Sequence, residues 1–360
     1  MSEIAILGLG LIGGSLGKRL SVTHTVVGYD HDPDTASKAV ATGVCSRVEA
    51  TAARAAAVAD VVVVAVPVDA MPKLFAEIAP HVRSGVTVTD VGSTKAAVVA
   101  SGLARFGDRF VGGHPMAGSE RHGVDAADDE LFEDAWWILT PTQDTASGAY
   151  QQVAALAAEC GARPIALAPE VHDSLIARLS HVPQLAASAV VEMAASDVDN
   201  EPLLGLAANG FRDVTRIAAS DPSMWVAIVR SNREAILEAL GELEGILEAL
   251  RTTIEAQDWK ALHSVLHRAR AARLELFAKP VYTGEPVGIS LLIPDRPGVL
   301  AEVTTAAGEL GANIEDLRIL HSTEGGRGRL ELVVAGRAAA TELVATLTDL
   351  GYHVDVGVPG

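Results

Sequence analysis

Glu3 to Leu7 is a short apolar run that leads straight into Gly8-Leu9-Gly10-Leu11-Ile12-Gly13, then Gly14-Ser15-Leu16 and a helical stretch to Leu20. No other stretch narrows the choice of fold as far. Val26 to Tyr29 reads as a second strand, and Asp30 closes it. A G-x-G-x-x-G between strand and helix, with an acid at the end of the next strand, is the pattern of a dinucleotide-binding βαβ unit. The glycines let backbone approach a pyrophosphate, and the helix N-terminus favours its negative charge. Gly8, Gly10, Leu11, Ile12 and Gly13 are therefore expected cofactor contacts. Asp30 would accept hydrogen bonds from a ribose 2′-OH and repel a 2′-phosphate. No arginine follows it directly, so NAD is expected rather than NADP.

The strand pattern continues. Asp60 to Pro67 is a continuous apolar run, as expected for a strand covered on both faces; Val66 and Pro67 at its end would border the cofactor. Val86 to Asp90 is another strand, followed by Val91-Gly92-Ser93-Thr94-Lys95. Hydroxyls at a strand end opening onto a helix sit where doubly wound sheets bind ligands, although Ser93 or Thr94 could simply cap that helix. Phe110-Val111 leads into Val111-Gly-Gly-His-Pro-Met-Ala-Gly-Ser-Glu120, which sets a titratable ring among glycines and a proline. Backbone so constrained usually places a group for a purpose, yet an ordinary surface turn reads the same way. Trp136 to Leu139 and Pro164 to Ala168 are further strands, with a helix over Ala149 to Cys160. The alternation predicts a parallel, doubly wound α/β sheet over residues 1–169.

From about Glu170 the strand pattern stops, and residues 170–280 read as an all-helical domain. His172 to Ser196 is helical with Pro183 inside it, and the expected kink would expose Ser180, His181 and Gln184. Asn209 to Ala218 is polar and carries Arg212 and Arg216, and an arginine fork suits a substrate carboxylate. Asp221-Pro222 starts a long helix whose apolar residues, Trp225 to Ile254, recur every three or four positions, so a subunit interface is expected there. A further helix covers about Asp258 to Phe277. Residues 281–286 look like a linker. Residues 287–360 then read βαββαβ, the ferredoxin-like order.

The formal charge of -18 argues against nucleic acid or anionic membrane as a partner. Cys45 and Cys160 stand in no motif, so neither a disulfide framework nor a metal site is expected. With no targeting segment and no long apolar span, the expectation is a cytoplasmic protein.

Taken together, the dinucleotide fingerprint, Asp90-Val91-Gly92-Ser93, Gly112-Gly113-His114-Pro115-Met116-Ala117-Gly118-Ser119-Glu120, Ser180-His181-Val182-Pro183 and Phe211 to Ala218 resemble the prephenate dehydrogenase family over roughly residues 1–280. The tail resembles an ACT domain, an amino-acid-sensing module, through Ile293-Pro294-Asp295-Arg296-Pro297-Gly298-Val299-Leu300 and Gly311-Ala312-Asn313-Ile314. A chorismate mutase-like helical domain is not seen ahead of the dinucleotide motif. The resemblance implies NAD-dependent oxidative decarboxylation of prephenate to 4-hydroxyphenylpyruvate. It makes His114 the base and Ser93 its orienting hydroxyl. Arg216 would hold a substrate carboxylate and Ser180 would line the pocket, with Ser119 and Glu120 at its mouth. It further implies a homodimer through the helical domain, further pairing through the tails, and tyrosine as effector near Gly298 and Asn313. Gln184 departs from the family, which often has histidine there; this opens arogenate as the alternative substrate. Two other classes share these modules. A β-hydroxyacid or imine dehydrogenase would usually use a helical-domain lysine, yet none occurs between Lys95 and Lys260. A non-catalytic NAD and amino-acid sensor would not need His114, Ser93 and Arg216 together.

Overall fold

A computed structural model describes residues 2–118, 121–195, 209–276, 286–294, 299–312, 314–321 and 327–357. The expected linker falls almost wholly outside them. The chain divides into two compact units, Met1–Thr252 and Thr253–Gly360.

The first unit opens with β1 (Glu3–Leu7), α1 (Leu11–Leu20), β2 (Thr25–Tyr29), α2 (Pro33–Ala41), β3 (Arg47–Val48), α3 (Ala52–Val58) and β4 (Val61–Val64). It continues through α4 (Met71–Ile78), β5 (Thr87–Asp90), α5 (Ala96–Phe106), β6 (Phe110–Pro115), β7 (Trp136–Thr140), α6 (Ser147–Glu159) and β8 (Arg163–Ala166). The sheet order is β3-β2-β1-β4-β5-β6-β7-β8. Its first six strands are parallel, as the alternating pattern predicts, and their order reverses between β1 and β4. Ligands bind at such a switch point, beyond the strand C-termini. The two-residue β3 escaped the sequence reading, being too short to show a period.

The expectation of a wholly parallel sheet needs correction at its far edge. β7 pairs antiparallel with β6, and β8 runs parallel to β7. A parallel return needs a crossover of a dozen or more residues, usually a helix. Between β6 and β7 the described residues carry only the 3-10 turn Val124–Ala126. The chain therefore comes back antiparallel and pairs β7 directly along the His114 strand.

Alternate residues of each strand face opposite layers. Ile4 and Ile6 pack with Leu16, Leu20, Val153 and Leu156 on one side. Ala5 and Leu7 pack with Ala55, Phe75 and Val98 on the other. All four residues of β4 are buried, which explains why its sequence lacks polar alternation. At α2, Asp32 caps the helix by accepting from Asp34 and Thr35 N–H, with Pro33 in the first turn.

Helices follow β8: α7 (Pro169–Ile176), α8 (Val182–Ala195), α9 (Asn209–Thr215), α10 (Pro222–Ser231) and α11 (Arg233–Glu255). Two details differ from the sequence expectation. The break before Pro183 is not a simple kink but a π-helical turn, Ala177–His181. A π-turn widens the ladder just where proline withdraws an N–H, and such turns gather at functional sites. The long helix expected from Pro222 is interrupted at Asn232, whose backbone leaves helical geometry. Beyond it, α11 buries only Ile236 and Ala239, while Leu237, Ile246, Leu247 and Ile254 are exposed.

The second unit holds α12 (Trp259–Leu276), then β9 (Pro286–Pro294), α13 (Val299–Glu309), β10 (Ile314–His321), β11 (Arg327–Ala335), α14 (Arg337–Asp349) and β12 (His353–Gly357). The strands form one antiparallel sheet, order β10-β11-β9-β12. Ile289, Leu291, Leu330, Leu332, Leu343 and Leu347 build its separate core. Among the described residues no helix is long and apolar enough to cross a membrane.

Candidate active site

The turn from β1 into α1 distributes its glycines by space. Gly8 has φ +101°, and a Cβ there would lie 2.5 Å from the Ala65 carbonyl oxygen. A Cβ on Gly13 would run into the Gly8 carbonyl, so that glycine lets helix meet strand. Around Gly10 nothing lies within 4 Å of a Cβ position. That is the open place where a pyrophosphate can come against backbone. Leu11 and Ile12 form the first turn of α1 beside it. Asp30 Oδ2 accepts from Leu9 N–H at 2.7 Å and Oδ1 from Asp32 N–H at 2.9 Å. Oδ1 also lies 3.1 Å from His31 Nδ1, and Oδ2 keeps a lone pair for a sugar hydroxyl. Val66 and Pro67 follow β4 at the same edge. These residues fit a dinucleotide, with Asp30 on the ribose.

Ser93 and His114 leave the C-terminal ends of adjacent strands β5 and β6. Asp90, fully buried at the end of β5, ties the two exits together. Its Oδ2 accepts from Gly92 N–H at 2.8 Å and its Oδ1 from Gly113 N–H at 3.2 Å. Lys95, also fully buried, forms an ion pair with Asp90 and donates to the Gly113 carbonyl at 2.7 Å. Glycine is required at 113: a Cβ would lie 2.6 Å from Asp90 O and 2.9 Å from Trp137 Nε1.

The His114 ring enters a second chain of hydrogen bonds. Its Nδ1 lies 2.8 Å from His172 Nε2, and His172 Nδ1 lies 2.8 Å from Asp173 Oδ1. The Asp173 carboxylate also accepts from the Lys95 and Ala96 N–H groups at the start of α5, at 2.7 and 2.8 Å. Acceptance by Asp173 puts the His172 proton on Nδ1. His172 Nε2 is then a lone pair and accepts a hydrogen bond from His114 Nδ1–H. The network thereby assigns the free lone pair of His114 to Nε2. Burial first, then His172, Lys95 and His181, hold His114 well below the usual histidine range. The ring is neutral near pH 7, as a base must be.

The helical side closes on the same region. His181, at the end of the π-turn, is buried, and its Nδ1 receives a bond from Asn232 Nδ2 at 3.2 Å. That amide also donates to the Asp173 carbonyl at 2.8 Å, so the break between α10 and α11 is anchored on α7. Burial pushes His181 down to about 4. Thr94 Oγ1 meets Ser231 Oγ at 2.7 Å, joining the Ser93 turn to α10.

Residues 13–166 match the family described as "Prephenate dehydrogenase, nucleotide-binding domain", and residues 168–268 match "Prephenate dehydrogenase, dimerization domain". A prephenate dehydrogenase of Bacillus subtilis is 34% identical over 340 residues, 91% of either chain. The chain belongs to the prephenate dehydrogenase family. Among solved structures, the A. aeolicus prephenate dehydrogenase in complex with hydroxyphenyl propionate and NAD+ is 32% identical with TM-score 0.72, covering 77% of this chain and 98% of that one. The Synechocystis arogenate dehydrogenase is 29% identical with TM-score 0.69, covering 76% and 99%.

Not every residue singled out for a prephenate dehydrogenase joins the cluster around His114. Ser180 is half-buried in the π-turn. Gln184 is 5% exposed and borders a cleft of about 630 Å³ together with Trp225, Arg230 and Arg233. Arg216 is exposed on the 3-10 turn Arg216–Ala219 and does not line that cleft. Ser119, Glu120, Gly298 and Asn313 lie outside the described residues. The reading of residue types missed His172, Asp173, Lys95 and Asn232. One signal was available: in Pro169 to Ile176 the inward positions 169, 172, 173 and 176 put a histidine and an aspartate where a helix normally buries apolar groups. Cys45 and Cys160 are free, and burial pushes their thiols up to about 11 and about 12, which removes them as nucleophiles.

Proposed function

We propose that the chain carries out the NAD-dependent oxidative decarboxylation of prephenate to 4-hydroxyphenylpyruvate, with release of CO2. The observation that carries this reading is the chain Asp173–His172–His114, which leaves His114 Nε2 as the free lone pair at the strand C-terminal edge that also bears the dinucleotide turn. Bound against Gly10 and Asp30, NAD supplies the acceptor for the hydride leaving the ring carbon that bears the 4-hydroxyl. His114 Nε2 takes the hydroxyl proton as the carbon is oxidised. His172 and Asp173 stabilise the imidazolium, because Nδ1 keeps its hydrogen bond as charge develops. The new ketone is conjugated to the carbon bearing the ring carboxylate, so loss of CO2 aromatises the ring. Ser93 orients the hydroxyl, Arg216 and Gln184 receive substrate carboxylates, and Ser180, Ser119 and Glu120 border the pocket.

His114→Asn removes the base and lowers kcat by at least ~10²-fold. Near-normal turnover in that variant, followed as NADH formation coupled to CO2 release, sinks the assignment.

A second reading has its own observation. Gln184 is buried where many family members carry a histidine, and it can donate a hydrogen bond but carry no charge. Together with the similarity to the Synechocystis arogenate dehydrogenase, this favours arogenate as a second substrate. Paired kcat/KM values for the two acids decide it.

We read residues 1–169 as the NAD domain, 170–280 as the helical substrate and dimerisation domain, and 287–360 as regulatory. The description of the second matched segment and the exposed apolar face of α11 support a homodimer. The βαββαβ order and the antiparallel sheet of the tail support an ACT-like module that senses tyrosine near Gly298 and Asn313, with further pairing through the tails.

A further inference from the structure

Lys95 and Asp90 are both fully buried, and no step of the reaction consumes them. Ion pairs so deep rarely repay their desolvation, so their placement calls for another reason. The pair grips the backbone of one residue, Gly113, at its N–H and at its carbonyl. Asp90 Oδ1 accepts from Gly113 N–H at 3.2 Å, and Lys95 Nζ donates to Gly113 O at 2.7 Å. The other Asp90 oxygen holds Gly92 N–H at 2.8 Å. Gly113 precedes His114, and Gly92 precedes Ser93. Lys95 also belongs to the second chain, since its own N–H donates to Asp173, which orients His172 and through it the His114 ring. A closed circuit results, passing through Asp90, the Gly113 backbone, His114, His172, Asp173 and Lys95.

We propose that the buried Lys95–Asp90 pair is a positioning unit that sets the spacing of Ser93 and His114 by holding the residue before each. Neither side chain need touch the substrate. The proposal rests on the roles given above to Ser93 and His114, and its test is chosen to separate the two. Among the described residues, the charged and titratable groups around the His114 ring are Lys95 and Asp90 from the sheet side, His172 and Asp173 from α7, and His181 from the π-turn. Of these, Lys95 is the ammonium partner of Asp90; burial pushes the Lys95 ammonium down and the Asp90 carboxyl up.

The test compares three forms of the full chain: unmodified, Lys95→Met, and Lys95→Met with Asp90→Asn. Each is followed by kcat, KM, NAD affinity, Tm and the ¹⁵N shifts of the His114 ring, assigned by loss of signal in His114→Asn. The double variant replaces the pair by neutral groups of similar size, which restores stability lost in the single variant. The expectation is that the double variant regains Tm and binds NAD normally while kcat stays at least ~10-fold down, the scale of a sub-ångström misplacement. The His114 titration midpoint rises in Lys95→Met, where the cation of the pair is lost. Recovery of kcat along with Tm makes the pair merely structural and overturns the proposal, as does failure of both variants to fold. Should the unmodified chain turn over neither acid, the reaction assignment fails, and the ring titration still reads the effect of Lys95: an unmoved midpoint overturns the positioning role.

Discussion

His114 is hydrogen-bonded to a second histidine rather than to a carboxylate of its own. Asp173 lies one residue removed, and its other oxygen is committed to the start of α5. His172→Ala should therefore leave NAD binding unchanged and lower kcat by roughly 10–100-fold, less than loss of the base itself, because tautomer and ring angle are lost but the lone pair remains. Steady-state kinetics beside His114→Asn tests this; equal losses would mean that the two rings act as one unit. Burial of histidines also predicts acid sensitivity. His114 and His181 both sit below their unfolded value, His181 at about 4. Between about pH 6.5 and 4 the unfolded chain binds protons that the folded chain refuses, so stability is full above that window and falls as pH drops through it. For His181 alone the loss by pH 4 is of the order of 3 kcal/mol. Thermal unfolding scanned over that range checks it: in His181→Gln the decline of Tm should be shallower.

At the scale of elements, the turn between β1 and α1 separates stability from cofactor binding. Nothing in the protein meets a Cβ at Gly10, whereas one at Gly13 collides with Gly8 backbone. Gly10→Ala should leave Tm within ~2 °C and weaken NAD by at least ~10-fold, because the methyl occupies the space of the pyrophosphate. Gly13→Ala should cost both. Calorimetric titration together with thermal unfolding distinguishes the two; unaltered NAD affinity in Gly10→Ala would place the cofactor elsewhere. The π-turn illustrates an element that propensity could not supply. Pro183 announced a disturbance in the helix, but either a kink or a wider turn would relieve it. The outcome hangs on His181 being drawn inward to Asn232, fifty-one residues away.

For the whole molecule, the exposed stripe on α11 predicts self-association. Sedimentation at micromolar concentration should show a dimer; monomer alone would leave Leu237, Ile246, Leu247 and Ile254 without a reason to be apolar. The tail has its own core and sheet, so removal of residues 285–360 should leave turnover in place and abolish inhibition by tyrosine. Sensitivity to tyrosine surviving that deletion would move the effector to the active site, where tyrosine can compete through its likeness to the product.

Local pattern carried much of this protein. The βαβ fingerprint, Asp30, the parallel order of the first six strands, the glycine-bounded His114 and the βαββαβ tail are all short-range signals, because turn chemistry and side-chain period act within a few residues. Contacts made across the chain lay beyond that range. The reversal of β7 goes with a connection whose described residues carry no crossover helix. The partners of His114 came from α7, fifty-eight residues further on, and the interruption at Asn232 came from hydrogen bonds to α7 and the π-turn. A histidine and an aspartate side by side in a sequence look like any polar surface pair. Only packing that buries both against the start of α5 turns them into the groups that fix which nitrogen of His114 is free.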